Sequence, residues 1–198
     1  MRFGIIGAGN IGQAVARHAV AAGHDVIISN RRGGESLAAA AASVGATPGS
    51  VAEAAAGVIV LLAVPWAAVP AALEGLTCNG QVLVDATNAF ISFQPMEIED
   101  FGDGSSSERV ASLAPGAHVV KAFNTLYARM IAADPVHAEG RQLVFYAGDD
   151  AGAKARFAEV IEGFGFATLD VGSLREGGRL IAVGGGPLAG FHALKQDV

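Results

Sequence analysis

Short, nearly uninterrupted apolar runs recur along the chain and alternate with longer segments whose apolar residues follow a helical spacing. Such runs are typical of parallel strands, which are buried on both faces. We predict strands over residues 2–6, 25–29, 58–63, 81–85, 117–121, 142–146 and 166–171. The alternation of strands with helices indicates an α/β fold with a doubly wound, mostly parallel sheet.

Helices are predicted in the segments between these strands. An alanine-rich helix follows a glycine-rich turn and ends near Gly23. Ser50 and Glu53 have the spacing of a capping box, in which each side chain binds a backbone N–H at the start of a helix. Asp149 and Asp150 precede another helix, where carboxylates interact favourably with the positive end of the helix dipole. Helices are also expected over residues 35–44 and 124–133.

Two segments depart from this alternation. Residues 90–108 are acidic and rich in Ser and Gly, which favours a surface loop, and we regard this loop as a candidate lid. Glycines occur throughout the chain after residue 173. At 198 residues the chain has the length of one domain, and we expect that domain to carry a small C-terminal extension.

Composition narrows the range of partners. Asp and Glu outnumber Lys and Arg by 19 to 13, which gives a net charge of −6. A chain with this balance has no general attraction for nucleic acids or anionic membranes, so we predict neither as a partner. Cys78 is the only cysteine, so no disulfide can form within the chain. We expect Cys78 to fill apolar space in a protein of the reducing cytoplasm.

One uncharged stretch, residues 54–73, is long enough to cross a bilayer, and the mean hydropathy of the chain is +0.42. Pro65 and Pro70 would interrupt a continuous helix there. We therefore predict a buried strand followed by a turn and a helix instead of a membrane span. The first residues also lack the long apolar core of a signal peptide, because glycines interrupt them.

A glycine pattern carries the first functional signal. Gly7, Gly9 and Gly12 follow the first predicted strand directly and open the first helix, which is the setting in which G-x-G-x-x-G indicates a dinucleotide-binding turn. Glycine permits a tight turn, a close approach of the pyrophosphate to the backbone, and close packing of helix on strand. The amides at the helix start then face the phosphate charge. The sequence therefore predicts a Rossmann-type fold that binds a nicotinamide dinucleotide.

The end of the second strand indicates which dinucleotide is bound. An Asp or Glu near this position would bind the ribose 2′-hydroxyl of NAD; this chain has Ser29, Asn30, Arg31 and Arg32 instead. Guanidinium groups and small polar donors suit a 2′-phosphate. Because one charge-assisted hydrogen bond contributes about 1.5–3 kcal/mol, a single arginine would shift the preference about 10- to 100-fold. We predict NADP(H) as the cofactor.

Seven motifs follow one another along nearly the whole chain: IGAGNIGQAVA, GHDVIISNRR, VLLAVPWAAV, VDATNA, VVKAFNT, AGDDAGAKARFAEVIEGFGF and LDVGSL. In their order and spacing, these motifs resemble those of the NADPH-dependent coenzyme F420 reductases, the F420-dependent NADP oxidoreductase family. The resemblance implies a Rossmann domain that forms a homodimer. The C-terminal portion, about residues 149–198, is expected to complete the acceptor side and to contribute a dimer contact.

The resemblance also implies the residues of the cofactor site. The phosphate turn comprises Gly7, Ala8, Gly9, Asn10, Ile11 and Gly12, and the 2′-phosphate subsite comprises Ser29, Asn30, Arg31 and Arg32. Later strand ends contribute Ala63, Val64, Pro65 and Trp66, then Ala86, Thr87 and Asn88, and finally Ala122, Phe123 and Asn124 beside the acceptor ring. For the Trp66 ring, stacking on the cofactor and packing within the protein are equally supported.

Together these features predict an NADP(H)-dependent oxidoreductase that transfers a hydride between NADPH and a small-molecule acceptor, either coenzyme F420 or a flavin such as FMN or FAD. Such cofactors carry their own reactivity, so the protein mainly has to orient them. No catalytic acid or base is assigned, and no spacing of His or Cys predicts a metal site. Two alternatives stay open: an NADP(H)-binding sensor or regulatory protein without turnover, and an imine reductase of the pyrroline-carboxylate type.

Overall fold

A large sheet with helices on both faces dominates the computed structural model, which describes residues 1–196. The strands are β1 (Arg2–Ile6), β2 (Asp25–Ser29), β3 (Thr47–Pro48), β4 (Ile59–Leu62), β5 (Val82–Asp85), β6 (Phe90–Phe93), β7 (Met96–Ile98), β8 (His118–Ala122), β9 (Val136–His137), β10 (Gly140–Gly148), β11 (Ala167–Asp170) and β12 (Leu194–Lys195). The helices are α1 (Asn10–Ala21), α2 (Gly34–Val44), α3 (Val51–Ala55), α4 (Val69–Leu73), α5 (Ser106–Leu113), α6 (Ala128–Ala132), α7 (Ala151–Gly163) and α8 (Glu176–Leu180), with a short 3-10 helix at Trp66–Ala68.

The strand order confirms the predicted fold class. Across the sheet the order is β3-β2-β1-β4-β5-β8-β10-β11, and the first six strands are parallel. This is the order of a doubly wound dinucleotide-binding sheet. β10 runs antiparallel to β8, and β11 pairs in parallel with β10. The sheet is therefore mostly parallel, and the strand direction reverses between β8 and β10.

Both faces of the central strands are buried, which explains their continuous apolar runs. Successive side chains of a strand point to opposite faces. In β1, Phe3 and Ile5 pack into the cluster beneath α1 and α2, whereas Ile6 packs into the cluster beneath α3, α4 and α5. A strand covered on both sides cannot show an alternation of apolar and polar residues.

Each of the predicted strands is present, with ends shifted by at most two residues. The predicted capping box is also present: Glu53 N–H donates to Ser50 Oγ at 3.1 Å, and Ser50 N–H donates to Glu53 Oε2 at 2.7 Å. Asp150 caps α7 by accepting from Ala153 N–H at 2.7 Å. Asp149 instead accepts from Leu174 N–H at 2.9 Å. Local sequence signals therefore place the starts of α1, α2, α3 and α7 correctly.

The prediction of a surface loop over residues 90–108 is wrong at both ends of that segment. Residues 90–98 form the β6–β7 hairpin. Ser105 caps α5 in a second capping box, in which Glu108 N–H donates to Ser105 Oγ at 3.2 Å and Ser105 N–H donates to Glu108 Oε2 at 2.7 Å. The loop prediction rests on the acidic composition of the whole segment, which gives too little weight to the apolar positions of the hairpin and to the S-x-x-E pattern at the start of the helix.

The predicted helix over residues 124–133 is wrong in its first half, because only α6 is helical. Phe123 has a φ of 65°, in the left-handed region. This conformation ends β8 abruptly and directs the following residues away from a continuous helix.

The uncharged stretch over residues 54–73 consists of the end of α3, β4, the 3-10 helix and α4. Within residues 1–196 no helix has both the length and the apolar character needed to cross a membrane. Cys78 packs, half-buried, against the cluster beneath α3, α4 and α5. Burial raises the pKa of its thiol above the usual value, which favours the unreactive protonated form.

Candidate functional site

The predicted site segments converge on one edge of the sheet. β2, β1, β4, β5 and β8 are adjacent and parallel, so their carboxyl ends lie at the same edge. The predicted segments 7–12, 29–32, 63–66, 86–88 and 122–124 lie at the ends of these five strands. In open α/β sheets, ligands bind outside the carboxyl ends of the strands, where the strand order reverses.

The three glycines of the turn have different surroundings. A Cβ on Gly7, whose φ is 116°, would lie 2.2 Å from the carbonyl oxygen of Ala63. A Cβ on Gly12 would lie 1.9 Å from the carbonyl oxygen of Gly7. Around Gly9, in contrast, no atom lies within 4 Å of the position of a Cβ. Gly7 and Gly12 therefore allow close packing within the protein, and Gly9 leaves open space beside the start of α1.

The rest of the turn leaves the start of α1 accessible. Gly9 is the N-cap residue of α1, and no side chain caps this end. Gln13 Nε2 donates to the carbonyl of Ala8 at 2.8 Å and holds the turn in place. Asn10 is exposed, whereas Ile11 packs against the core. The free N–H groups and the helix dipole suit the charge of a pyrophosphate.

At the end of β2, the four predicted residues divide into two kinds. Ser29 is fully buried, and its hydroxyl donates to the carbonyl of Ile5 at 3.0 Å, so it connects β2 to β1. Asn30 Oδ1 accepts from Gly33 N–H at 2.6 Å and shapes the turn into α2. Arg31 and Arg32 are exposed, and neither forms an ion pair with another residue in 1–196. Their guanidinium groups are therefore available to a ligand.

After β4, the chain contacts both the glycine turn and the segment beyond β7. Ala63 N–H donates to the carbonyl of Ile6 at 2.8 Å. Val64 packs against the cluster beneath α3, α4 and α5, and Pro65 is exposed. The Trp66 indole N–H donates to Glu99 Oε2 at 2.5 Å. The Trp66 and Phe101 rings pack edge to face, with their centroids 5.7 Å apart. The Trp66 ring thus packs within the protein in this structure.

A buried ion pair lies beneath the ends of β5 and β8. Lys121 Nζ is 3.1 Å from Asp85 Oδ2, and the two side chains are 1% and 0% exposed. Asp85 Oδ1 also accepts from the N–H and the hydroxyl of Thr87, at 2.9 and 2.7 Å. Asp85 Oδ2 accepts from the Ser107 hydroxyl at 2.7 Å, and Lys121 also donates to the carbonyl of Thr87. This network connects β5, β8 and α5.

Asp85 ends a strand that the sequence predicts, but the sequence does not identify Lys121 as its partner. A lysine inside the apolar run of β8 was the available signal, because a buried charge requires a partner. The partner itself lies 36 residues earlier in the chain, and nothing in the local sequence identifies it.

Amide side chains connect the end of β5 to the C-terminal segment. Asn88 Nδ2 donates to the carbonyl of Asn124 at 3.1 Å, and Asn124 Nδ2 donates to the carbonyl of Ile181 at 2.6 Å. Asn124 Oδ1 is buried and has no hydrogen-bond partner within residues 1–196. Ala86 and Ala122 are buried, and the Phe123 ring packs edge to face against Phe157 and Phe166 in the core. Asn88 is thus the most accessible of these predicted residues.

A cavity of about 710 Å³ opens beside Asn88. Its walls are residues 98–102, 104–106 and 182–187, together with Asn88, Ala89, Lys121, Glu176, Arg179 and Leu180. The size is that of a pocket for a small organic ligand. The predicted C-terminal portion and the segment after β7 thus meet in one cavity. Within residues 1–196, no cluster of His, Cys, Asp or Glu is arranged to hold a metal ion.

Comparison with known proteins agrees with the resemblance seen in the motifs. Residues 2–89 match the family described as NADP oxidoreductase, coenzyme F420-dependent. Metalloreductase STEAP3 of Rattus norvegicus is 38% identical over 96 residues, which are 48% of this chain and 18% of that protein. The chain thus spans under a fifth of the length of this relative.

Solved structures extend the similarity to the whole chain. Hypothetical protein SMa0349 from Sinorhizobium meliloti is 37% identical, with a TM-score of 0.91 over 99% of this chain and 96% of that one. A protein from Arthrobacter sp. FB24, provisionally described as an F420-dependent NADP reductase, is 25% identical, with a TM-score of 0.73 over 87% of this chain and 85% of that one. A reductive aminase from Aspergillus terreus in complex with NADPH is 20% identical, with a TM-score of 0.62 over 89% of this chain and 56% of that one, and shows the shared fold alone.

Proposed function

Because residues 2–89 match the family described as NADP oxidoreductase, coenzyme F420-dependent, and the chain is similar in fold to a protein given that description, we propose that it transfers a hydride between NADPH and a flavin-like ring, either coenzyme F420 or a flavin. The observation that carries this proposal is the position of Asn88. It follows β5 at the edge where dinucleotides bind in such sheets, and it also lines the 710 Å³ cavity. A cofactor in the crevice and an acceptor in the cavity would meet at this residue.

The crevice supports NADPH as the donor. Gly9 leaves space for a pyrophosphate at the uncapped start of α1. Arg31 and Arg32 are exposed and make no ion pair with the rest of residues 1–196. Arginine can bind a phosphate through paired hydrogen bonds, and a 2′-phosphate distinguishes NADPH from NADH. Ser29 and Asn30 support this subsite by fixing the backbone of the turn.

The chemistry requires mainly orientation from the protein. NADPH supplies a hydride from its nicotinamide ring. The apolar side chains of Ile98, Phe101 and Leu180 and the neighbouring glycines form walls against which a flat ring could pack. Efficient transfer requires the reacting carbons to lie about 3–3.5 Å apart with the rings aligned. The hydrogen-bond network of Asp85 and Lys121 supports the site from below, because it fixes the ends of β5 and β8 relative to α5.

The test is an assay of NADPH oxidation by the purified chain with coenzyme F420, FMN, FAD, riboflavin and a ferric chelate offered separately. The chelate is included because STEAP3 is named a metalloreductase. We expect oxidation with a deazaflavin or a flavin and a much lower rate with NADH. A Gly9→Val variant should lose activity, because its side chain would fill the space for the pyrophosphate. Tight NADPH binding without oxidation by any acceptor would contradict the proposal.

A second candidate is an NADP(H) sensor without turnover. It is favoured by the lining of the cavity, where Lys121 already donates to Asp85 and Thr87 and no histidine is present among the described residues. In that case NADPH would bind and change the structure, and no acceptor would oxidise it. The alternative of an imine reductase has weaker support, since the reductive aminase shares the fold at only 20% identity.

We also propose a homodimer. Leu180 and Phe191 in the C-terminal segment are 39% and 51% exposed, and covering apolar side chains of this size is favourable. Sedimentation equilibrium should give twice the mass of the chain. A monomer at micromolar concentration would contradict this part of the proposal.

A further inference from the structure

We propose that the cavity binds an uncharged acceptor more tightly than a phosphorylated one. The uncharged acceptor would be a flavin-type ring without a phosphate group. Riboflavin represents the first class, and FMN, FAD and coenzyme F420 represent the second. The inference rests on the proposed function and narrows the acceptor that the proposed function leaves open. It is carried by the distribution of charge around the cavity.

The exposed charges of the cavity are mostly negative. Glu99, Asp100 and Glu176 line it and are exposed, whereas Arg179 is the only exposed cation that lines it within residues 1–196. None of these four side chains forms an ion pair in the described part of the chain. The exposed charged side chains of the lining therefore carry an excess of two negative charges.

The remaining charge of the lining does not compensate for this excess. Lys121 is 1% exposed, and its ammonium group lies 3.1 Å from Asp85 Oδ2. The carboxylate neutralises the lysine, so the pair presents little net charge to the cavity. Arg175, the neighbouring exposed arginine, does not line the cavity, and its Nε donates to the backbone carbonyl of Asp103 at 3.0 Å.

Two of the three exposed carboxylates accept hydrogen bonds within the protein, and the third lies at the start of a helix. Glu99 Oε2 accepts from the Trp66 indole, and Asp100 Oδ1 accepts from Gly102 N–H at 2.8 Å. Glu176 lies in the first turn of α8, where its charge is favourable to the helix. The lining also includes the apolar side chains of Ala89, Ile98 and Val183. An uncharged ring can pack against these side chains, whereas an anionic substituent in the same cavity would lie near the carboxylates.

Charge repulsion sets the size of the expected effect. Two unit charges of like sign about 8 Å apart in water repel each other weakly. Here, however, two excess negative charges of the cavity act on a phosphate that itself carries close to two negative charges, so the repulsions add. We therefore expect riboflavin to bind about tenfold more tightly than FMN at low ionic strength. The difference should shrink as added salt shortens the screening length.

The experiment compares riboflavin with FMN, which differ only by the phosphate. Binding of each to the full chain in the presence of NADP⁺ is followed by quenching of the flavin fluorescence, at low and at high salt. The same two flavins are then offered as acceptors for NADPH. A Glu176→Gln variant should reduce the preference for riboflavin about threefold. Glu159→Gln removes the same charge from an exposed position of α7 outside the cavity and should leave the preference unchanged.

The outcomes separate this inference from the proposed function. A preference for riboflavin that falls with salt and in Glu176→Gln, but not in Glu159→Gln, supports the inference even if neither flavin is reduced. Equal binding, tighter binding of FMN, no binding of either flavin, or a preference unaffected by Glu176→Gln overturns it. Equal reduction of the two flavins would overturn the inference and leave the proposed hydride transfer supported.

Discussion

The proposed cofactor crevice and the proposed acceptor cavity lie at the same edge of the sheet but are built in different ways. The crevice consists of turns that directly follow β1 and β2, and its fit depends on backbone and glycine geometry. The cavity is assembled mainly from residues 98–102, 104–106 and 182–187, together with Asn88, Lys121, Glu176, Arg179 and Leu180, which meet only in the folded chain. Changes at the accessible positions of the crevice, Gly9, Arg31 and Arg32, should therefore act mainly on one ligand, whereas changes around the cavity should also act on folding.

The buried network of Asp85, Lys121, Thr87 and Ser107 marks the boundary between the two regions. It joins the end of β5, which borders the crevice, to β8 and α5, which border the cavity. Its hydrogen bonds satisfy both carboxylate oxygens of Asp85. Because the pair is inaccessible to water, loss of either partner would leave an uncompensated buried charge.

The largest effect is expected when this network is broken. Lys121→Met should lower the free energy of unfolding by about 3–5 kcal/mol, since Asp85 would keep a buried charge without its cation. Urea denaturation measures the loss. As a control, Lys154→Met removes the pair with Asp170 at 2.9 Å, whose carboxylate is 41% exposed, and should cost less than about 1 kcal/mol. Equal losses in the two variants would show that burial does not set the strength of the pair.

The second prediction compares two glycines of the crevice. Gly12→Ala should destabilise the chain by about 1–3 kcal/mol, because its Cβ would lie 1.9 Å from the carbonyl oxygen of Gly7. Gly9→Ala should cost less than about 1 kcal/mol, since no atom lies within 4 Å of the added carbon. It should nevertheless weaken NADPH binding, which is measured by titration. If Gly9→Ala binds NADPH normally, the pyrophosphate does not pass over this residue.

The third prediction concerns the choice of cofactor. Arg31→Ala should weaken NADPH binding about 10- to 100-fold and leave NADH binding nearly unchanged, because only NADPH carries the 2′-phosphate. Titration of both cofactors measures the ratio. Arg17→Ala removes an exposed arginine on α1 outside the predicted site and serves as the control. Equal loss of affinity for both cofactors would contradict the assignment of Arg31 to the phosphate.

The difference in construction also explains which parts could be predicted from the sequence. Gly7, Gly9 and Gly12 are recognisable because a local turn requires them, and the strands are recognisable because both of their faces are buried. Gly184 follows from tertiary structure instead: a Cβ there would lie 2.8 Å from Cδ1 of Ile98, a neighbouring residue of the cavity lining that is distant in sequence. No local pattern encodes such a contact, so the cavity could not be located from the sequence.

The segment over residues 90–108 lies between these cases. Its hairpin and capping box are local features and could have been predicted, because Phe90, Ile91 and Phe93 are apolar and Ser105 precedes Glu108 at the capping spacing. The acidic and glycine-rich composition favoured a loop instead. Composition describes a whole segment, whereas a cap depends on two residues, so the cap is the stronger signal for where a helix begins.

The smallest effect should separate the two regions most directly, through their matched capping boxes. Ser50→Ala at α3 and Ser105→Ala at α5 should each cost about 1 kcal/mol of stability. Ser105 also lines the cavity, and a Cβ on Gly178 of α8 would lie 3.2 Å from its Oγ. Its loss should therefore loosen α5 against α8 and weaken flavin binding several-fold, whereas Ser50→Ala should leave flavin binding unchanged. If both variants weaken flavin binding equally, the loss of affinity follows from the lower stability of the whole chain and not from the packing of α5 against α8.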